Sequence, residues 1–362
     1  MDKDYKTRTF RESDLAGVIS LCRLVFGSKT AEKFKKNWHW YSRENPVLRD
    51  HKLDSWVVEN KGKIIGYINL NPGMIKMGDK NVMIAWGGGL MAHPGHRGKG
   101  IGKEMVKRWK EEANICLALG VGDVAYGIES SMGWSNLDMA KAMIRIINPE
   151  KFLSYSLKMK KGRLSYLLSR PLGLILAMFF SAKKPGRYLA DHTIDELKNF
   201  DSRFDVFWDE VSDDLGIAAV RDKEYLDWKY TKNPTRGFRI FAAADKKGRI
   251  NGYVVITKIS SENFNWGRVV EFVASPHDIG TMQALIWKIN DYFIEEGCDA
   301  IQAYGMKRQH RKMFSKNGFI YSRTMGQRFI VKIDDTKNLP DIRFFKNPDN
   351  WFVTAGDSDF TI

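Results

Sequence analysis

Met91-Ala-His-Pro-Gly-His-Arg-Gly-Lys-Gly-Ile-Gly102 is the stretch on which the reading of the whole chain turns. An apolar run, Val82-Met-Ile-Ala-Trp86, leads toward it, and a helical pattern, Ile101 to Ala113, leaves it. Gly98, Gly100 and Gly102 sit at this strand-to-helix turn, with Arg97 and Lys99 among them. A turn stripped of side chains lets successive backbone N–H groups point at one spot, and the positive end of the helix dipole adds to their field. Chemically, this is a socket for phosphate or pyrophosphate. It lacks the Gly-Lys-Ser/Thr of a Walker loop and the G-x-G-x-x-G of a dinucleotide fold.

Working outward, Tyr5 to Phe10 reads as a strand, and Leu15, Val18, Ile19, Cys22 and Val25 fall at helical spacing. Trp38, Trp40 and Tyr41 follow, ahead of Asn45-Pro46, where any helix should stop. Ser55 to Glu59 and Lys63 to Leu70 form a hairpin across Lys61-Gly62. Past the loop helix, Asp123 to Ile128 is expected to be a buried strand. A helix should then run from Ser135-Asn136 to Ile147, and a strand from Phe152 to Met159.

The second half repeats the first. Trp40-Tyr-Ser-Arg-Glu-Asn-Pro46 and Trp228-Lys-Tyr-Thr-Lys-Asn-Pro234 share Trp, Asn and Pro at one spacing, and Lys63-Ile-Ile-Gly-Tyr-Ile68 matches Arg249-Ile-Asn-Gly-Tyr-Val254. Two matches in the same order argue for an internal duplication. Val269 to Pro276 is the counterpart of the strand ending in Pro94. Its turn, His277-Asp278-Ile279-Gly280-Thr281, keeps one glycine and places a carboxylate where a pyrophosphate would sit.

Strand, Pro94, then Arg97-x-x-Gly100-x-Gly102 opening a helix resembles the acyl-CoA pyrophosphate loop of the GNAT acyltransferase superfamily. The resemblance implies an α/β (α+β) fold of two tandem GNAT-like domains, each a mixed, mostly antiparallel sheet flanked by helices. The divisions expected are 1–160 for the domain with the acyl-CoA loop and 161–195 for a helical linker. A degenerate second domain follows at 196–334 and a tail at 335–362. Gly133-Trp-Ser-Asn136, Arg221-Asp-Lys-Glu-Tyr-Leu-Asp-Trp228 and Trp351-Phe-Val-Thr-Ala-Gly-Asp-Ser-Asp359 are similar to pieces of bacterial and archaeal GNAT proteins associated with cell-surface polysaccharide biosynthesis.

What the resemblance implies about chemistry is an acetyl-CoA-dependent N-acyltransferase (acetyl-CoA or another acyl-CoA as co-substrate) acting on a small-molecule amine, such as an amino sugar or its nucleotide-linked form. Main chain at Leu90 and Ala92 would pair with the pantetheine amides, and Arg97, Gly98, Lys99, Gly100, Ile101 and Gly102 would hold the pyrophosphate. Asn136 would contact the cofactor arm, or serve as an ordinary N-cap. Glu129, expected at a strand end, is the candidate base, with Tyr126 as the alternative polar group. The family often places a Tyr seven residues after the Asn as the acid for the thiolate; Met143 stands there. Asp357 and Asp359 could hold an amine or sugar hydroxyls if the tail folds back. A Fem-type aminoacyl transferase and a non-catalytic CoA sensor or scaffold are the competing readings.

Composition narrows the classes. With 43% hydrophobic and 12% aromatic residues the chain is globular rather than disordered. Three scattered cysteines, Cys22, Cys116 and Cys298, do not make a disulfide framework and point, with a polar N-terminal stretch, to the cytoplasm. The net charge of +15 suits anionic partners, but no like-charged block interleaved with aromatics marks a nucleic-acid module. His93 and His96 lack an acid or Cys to complete a metal site. Arg170 and Pro171 interrupt the apolar segment 164–182, and its unbroken part, Pro171 to Ala182, is shorter than the ~20 residues needed to span a bilayer. It reads as a bridge between domains, with peripheral membrane contact the other option.

Overall fold

The computed structural model describes residues 4–138, 140–156, 193–235, 237–304, 307–334 and 340–357. Its first half contains β1 (Tyr5–Thr9), α1 (Leu15–Phe26), α2 (Ser28–Arg43), β2 (Trp56–Asn60), β3 (Lys63–Met77) and β4 (Lys80–Ala92). After these come α3 (Ile101–Glu112), β5 (Ile115–Leu119), α4 (Asp123–Ser131), β6 (Ser135–Asn136), β7 (Ala140–Ile146) and α5 (Pro149–Ser156). The second half supplies β8 (Thr193–Leu197), β9 (Ile217–Ala219), β10 (Arg239–Ala244), β11 (Ile250–Ser260), β12 (Asn265–Ala274) and β13 (Ala300–Tyr304). The last strands are β14 (Ile320–Gln327), β15 (Phe329–Ile333) and β16 (Trp351–Phe352).

Two mostly antiparallel sheets result. One runs β1-β2-β3-β4-β5-β15-β6, with β9 attached along β3 and β16 along β9; the other runs β14-β7-β13-β12-β11-β10-β8. Sheet membership crosses the sequence divisions at 160 and 334. Strand β7, from the first half, pairs with β13 and β14, while β15, from the second, pairs with β5 and β6. The halves thus exchange equivalent strands. An apolar core that includes Ile84, Leu117 and Val331 of one sheet and Ala242, Tyr253 and Val255 of the other joins them.

Three sequence expectations are corrected. The strand after α3 is Ile115–Leu119, all five residues buried, and Asp123–Ser131 is a helix. A short apolar run directly after a helix continues its hydrophobic pattern, so its change of period is hard to see. Residues 140–146 form β7 rather than a helix, because a strand buried on both faces shows no alternation: Met143 and Ile144 are both inside. Phe152 belongs to helix α5; Asn148 accepts from Lys151 N (3.2 Å) and Pro149 occupies the first turn, an N-cap signal passed over in the sequence. The segment 164–182 lies outside the described residues. Among those described, no helix is long and apolar enough to cross a membrane.

Candidate acyl-CoA site

Strands β4 and β5 run parallel and are in register only at Ala85–Cys116 and Trp86–Leu117. Beyond Trp86 they part. Strand β4 bulges there, its register against β3 slipping between Asn69–Gly88 and Tyr67–Met91, with Gly89 at φ +58°. A bulge re-aims a strand, and the parting leaves the half-buried β4 main chain through Leu90 and Ala92 beside an open gap. Gly87 lies where a side chain would strike the Trp109 ring, which donates to Ala85 O (3.2 Å), so α3 seats directly on the diverging strand.

At the top of β4 the chain turns through Pro94–His96 to α3. Gly98 (φ +78°) and Gly100 (φ +86°) take left-handed conformations, and Gly100 is the N-cap, so no side chain covers the first N–H groups of the helix. Gly102 serves differently: a Cβ there would stand 2.6 Å from Ile128 Cδ1, so its smallness lets α4 close on α3. Arg97 and Lys99 are exposed and flank the socket. Strand β1 steadies it through a 2.6 Å hydrogen bond between Tyr5 OH and His96 Nδ1, and Lys99 Nζ lies 6.0 Å over the Tyr5 ring. The loop residues, Ile101 and the Leu90–Ala92 main chain are therefore brought together. The donor set, free helix N–H groups plus two cations, fits a pyrophosphate.

Other expected site residues fall elsewhere. Asn136 is on β6, paired with Ile330, and its Oδ1 accepts from Asp138 N (3.1 Å); it opens no helix. Met143 is buried in the second sheet, so it does not take the place of an acid on a helix facing the gap. The helix following β5 is α4, which carries both Tyr126 and Glu129. Tyr126 is half-buried, with the Arg328 guanidinium 4.9 Å over its ring. Glu129, one turn further, is buried against apolar surroundings that push its carboxyl up to about 7, and its Oε2 makes no hydrogen bond. The expected strand with Glu129 just past its end is this helix instead.

The second half copies the gap and fills it. Strands β12 and β13 are in register only from Trp266–Ala300 to Arg268–Gln302, and β12 then bulges before Glu271. At the head of the helix Ile279–Glu295, the Asp278 carboxylate accepts from Thr281 N (2.9 Å) and Thr281 Oγ1 (2.7 Å), so the chain's own anion caps the helix. The turn Ala355–Asp357 lies along β12, with Gly356 against Tyr230 and Glu271. Buried Arg221 donates to Glu271 Oε2 (3.2 Å), Asp357 Oδ2 (2.7 Å) and Ala219 O (2.7 Å), and Tyr230 OH donates to Glu271 Oε1 (2.5 Å). Asp357 Oδ2 is thereby committed to Arg221 and to Thr354 N (2.8 Å); Asp359 lies outside the described residues. Arg221 and the tail, far apart in the sequence, meet here.

Residues 6–136 match the acetyltransferase (GNAT) domain family. Both halves carry the GNAT fold. Similar solved structures include a GCN5-related N-acetyltransferase from Anabaena variabilis (TM-score 0.61, 11% identity, 91% of this chain and 72% of that one). Another from Kribbella flavida gives 0.55 and 16%, over 91% and 71%. N-myristoyltransferase of Saccharomyces cerevisiae, with bound myristoyl-CoA and inhibitors, gives 0.60 and 11%, over 92% and 81%. No curated protein matches. The domain match supports an acyltransferase, with acyl-CoA as the co-substrate that GNAT proteins use, and the neighbours share its fold.

Proposed function

We propose that this protein is an N-acyltransferase that moves an acyl group, acetyl in the simplest case, from CoA to the amine of a small molecule, an amino sugar or its nucleotide-linked form. One observation carries the reading: a bulged, parting β4 runs straight into an uncovered helix N-terminus flanked by Arg97 and Lys99. The sugar half of the proposal rests on the sequence resemblance to polysaccharide-associated proteins.

In the proposed reaction the amine nitrogen attacks the thioester carbonyl, a C–N bond forms and the C–S bond breaks. The amine proton passes to Glu129, directly or through water, and the thiolate takes a proton from Tyr126 or solvent. A carboxyl pushed up to about 7 is a better base near neutral pH than an ordinary one. The three free, buried cysteines suit a reducing cytoplasm.

Thermal shift with acetyl-CoA tests the site. Arg97→Glu with Lys99→Glu leaves the glycines in place and reverses two exposed charges, so it should abolish the shift without unfolding the protein. No shift in the wild type at millimolar acetyl-CoA overturns the proposal. CoA release across a panel of amines then separates an enzyme from a sensor.

A further inference from the structure

After α4 the chain turns sharply back through Gly133, at φ +85°. The backbone N–H groups of Met132 and Trp134 both donate to the Glu129 carbonyl, at 3.0 and 3.2 Å. Trp134 is thereby fixed beside the last turn of α4, next to Glu129.

The Trp134 ring also reaches the floor of the gap between β4 and β5. It is 5% exposed, and its centroid lies 4.1 Å from that of Trp109. Trp109 donates to Ala85 O (3.2 Å), and a side chain on Gly87 would strike its ring. Ala85 belongs to the last two registered pairs of β4 with β5, and Gly87 is the first β4 residue beyond them. Ala118, on β5 just past those pairs, shares an apolar cluster with Trp134. One aromatic ring therefore separates Trp134 from the point where the strands part.

Two polar atoms of this corner are unmet. Trp134 Nε1 and Glu129 Oε2 are buried, and neither has a hydrogen-bond partner among the described residues. They are complementary, because an indole N–H only donates and an ionised carboxylate only accepts. Buried polar groups are nearly always bonded, so an open donor and an open acceptor on one tight turn, beside the gap, point to a ligand.

We propose that the Trp134 indole N–H donates to the thioester carbonyl oxygen of the bound acyl-CoA and holds that oxygen as it becomes negative. This rests on the acyltransferase reading and adds a catalytic residue to it. With the pyrophosphate on the loop at the top of β4, the arm follows the strand down past Ala92 and Leu90. Its far end, the thioester, then arrives at the Gly87 end of the gap. As the amine forms the C–N bond, the carbonyl π pair moves onto oxygen, where the Trp134 N–H meets it. The pair returns to restore C=O, the C–S bond breaks, and the amine proton goes to Glu129. An uncharged donor suits this place, since a Lys or Arg beside Glu129 would pair with it and weaken it as a base.

Trp134→Phe removes the N–H and keeps an aromatic ring against Trp109. Acetyl-CoA and CoA are the probes, because only the first carries the carbonyl. By calorimetry, the ratio of Kd for CoA to Kd for acetyl-CoA should fall about threefold to tenfold in the variant. A packing defect weakens both ligands alike and leaves this ratio in place, so an unchanged ratio overturns the proposal. With any amine that the wild type acylates, kcat should fall about tenfold or more, and an unchanged kcat also overturns it. Should Trp134→Phe not fold, the indole N–H signals of the wild type are followed by NMR. One must move downfield with acetyl-CoA and not with CoA, and none doing so sinks the proposal. If neither ligand binds the wild type, the acyl-CoA reading itself fails and this inference with it. If both bind and only the ratio is unmoved, this inference fails alone.

Discussion

Trp40 and Trp228 each donate the indole N–H to the other's backbone carbonyl, at 2.8 and 3.2 Å, with their rings stacked at 5.1 Å and 23°. The same two positions head the repeated Trp-x-x-x-x-Asn-Pro motif. Their reciprocity, with the mutual exchange of β7 and β15, describes a pseudo-two-fold relation between the halves. Asn45 and Asn233 keep matching roles as well, accepting from Val47 N and Thr235 N (3.0 and 3.1 Å). The motif is thus accounted for by the joint between the halves and by turn capping, without a ligand.

Trp40→Phe and Trp228→Phe each keep a ring but remove one of the two hydrogen bonds across the joint, although the Trp40 carbonyl keeps Glu44 N (3.2 Å) as a donor. Each should cost about 1–3 kcal/mol. Because the rings touch, the double variant should depart from additivity by about 0.5 kcal/mol or more, measured by urea denaturation. Strict additivity would mean the two indoles act independently.

Glu129 gives a pH signature. Folded, its carboxyl stays neutral up to about 7; unfolded, it ionises near the ordinary 4.5. Between those values the unfolded chain holds fewer protons, so stability falls as pH rises through the window. The loss is on the order of 3 kcal/mol once pH exceeds the folded value. Glu129→Gln removes it. Denaturant midpoints for variant and wild type should nearly coincide at pH 4 and separate in favour of the variant at pH 8. If Glu129 is the base, the same variant loses turnover while keeping acetyl-CoA binding.

Calorimetric titration with acetyl-CoA should saturate at one equivalent per chain. In the second half Asp278 caps the helix, and Ala355–Asp357 lies along the diverging strand. A stoichiometry of two would contradict both observations.

Arg221 stands between two buried carboxylates, Glu271 and Asp357. Arg221→Leu leaves them facing each other without a cation and should cost about 3–5 kcal/mol or prevent folding. Asp357→Asn keeps the shape and one acceptor, and should cost less. Equal stabilities for Arg221→Leu and wild type in urea would show that the cation does not hold this cluster.

The loop at Arg97–Gly102 was legible because its signals are local: glycine spacing, flanking cations and a following amphipathic helix. The duplication was legible for a similar reason, since Trp, Asn and Pro recur at fixed offsets. Residues 115–146 were misread because their periods are ambiguous. Ile115–Leu119 prolongs the apolar pattern of α3, and β7 is covered on both faces and shows no alternation. That error put Tyr126 on a strand and Glu129 at its end, and gave Met143 a part it does not have.

The exchange of β7 and β15 also imposes an order in time. Synthesis proceeds from the N-terminus, and the acyl-CoA loop is complete early. Its sheet is not: the outer edge of β5 pairs with Phe329–Ile333, which the ribosome adds more than two hundred residues after the loop. Until then the nascent chain carries an unpaired strand edge beside the site, the kind of edge that invites wrong partners. A chain cut short between this loop and β15 would carry the glycine turn but could not close the sheet behind it. Any chemistry at this loop would therefore begin only when nearly the whole chain has been made.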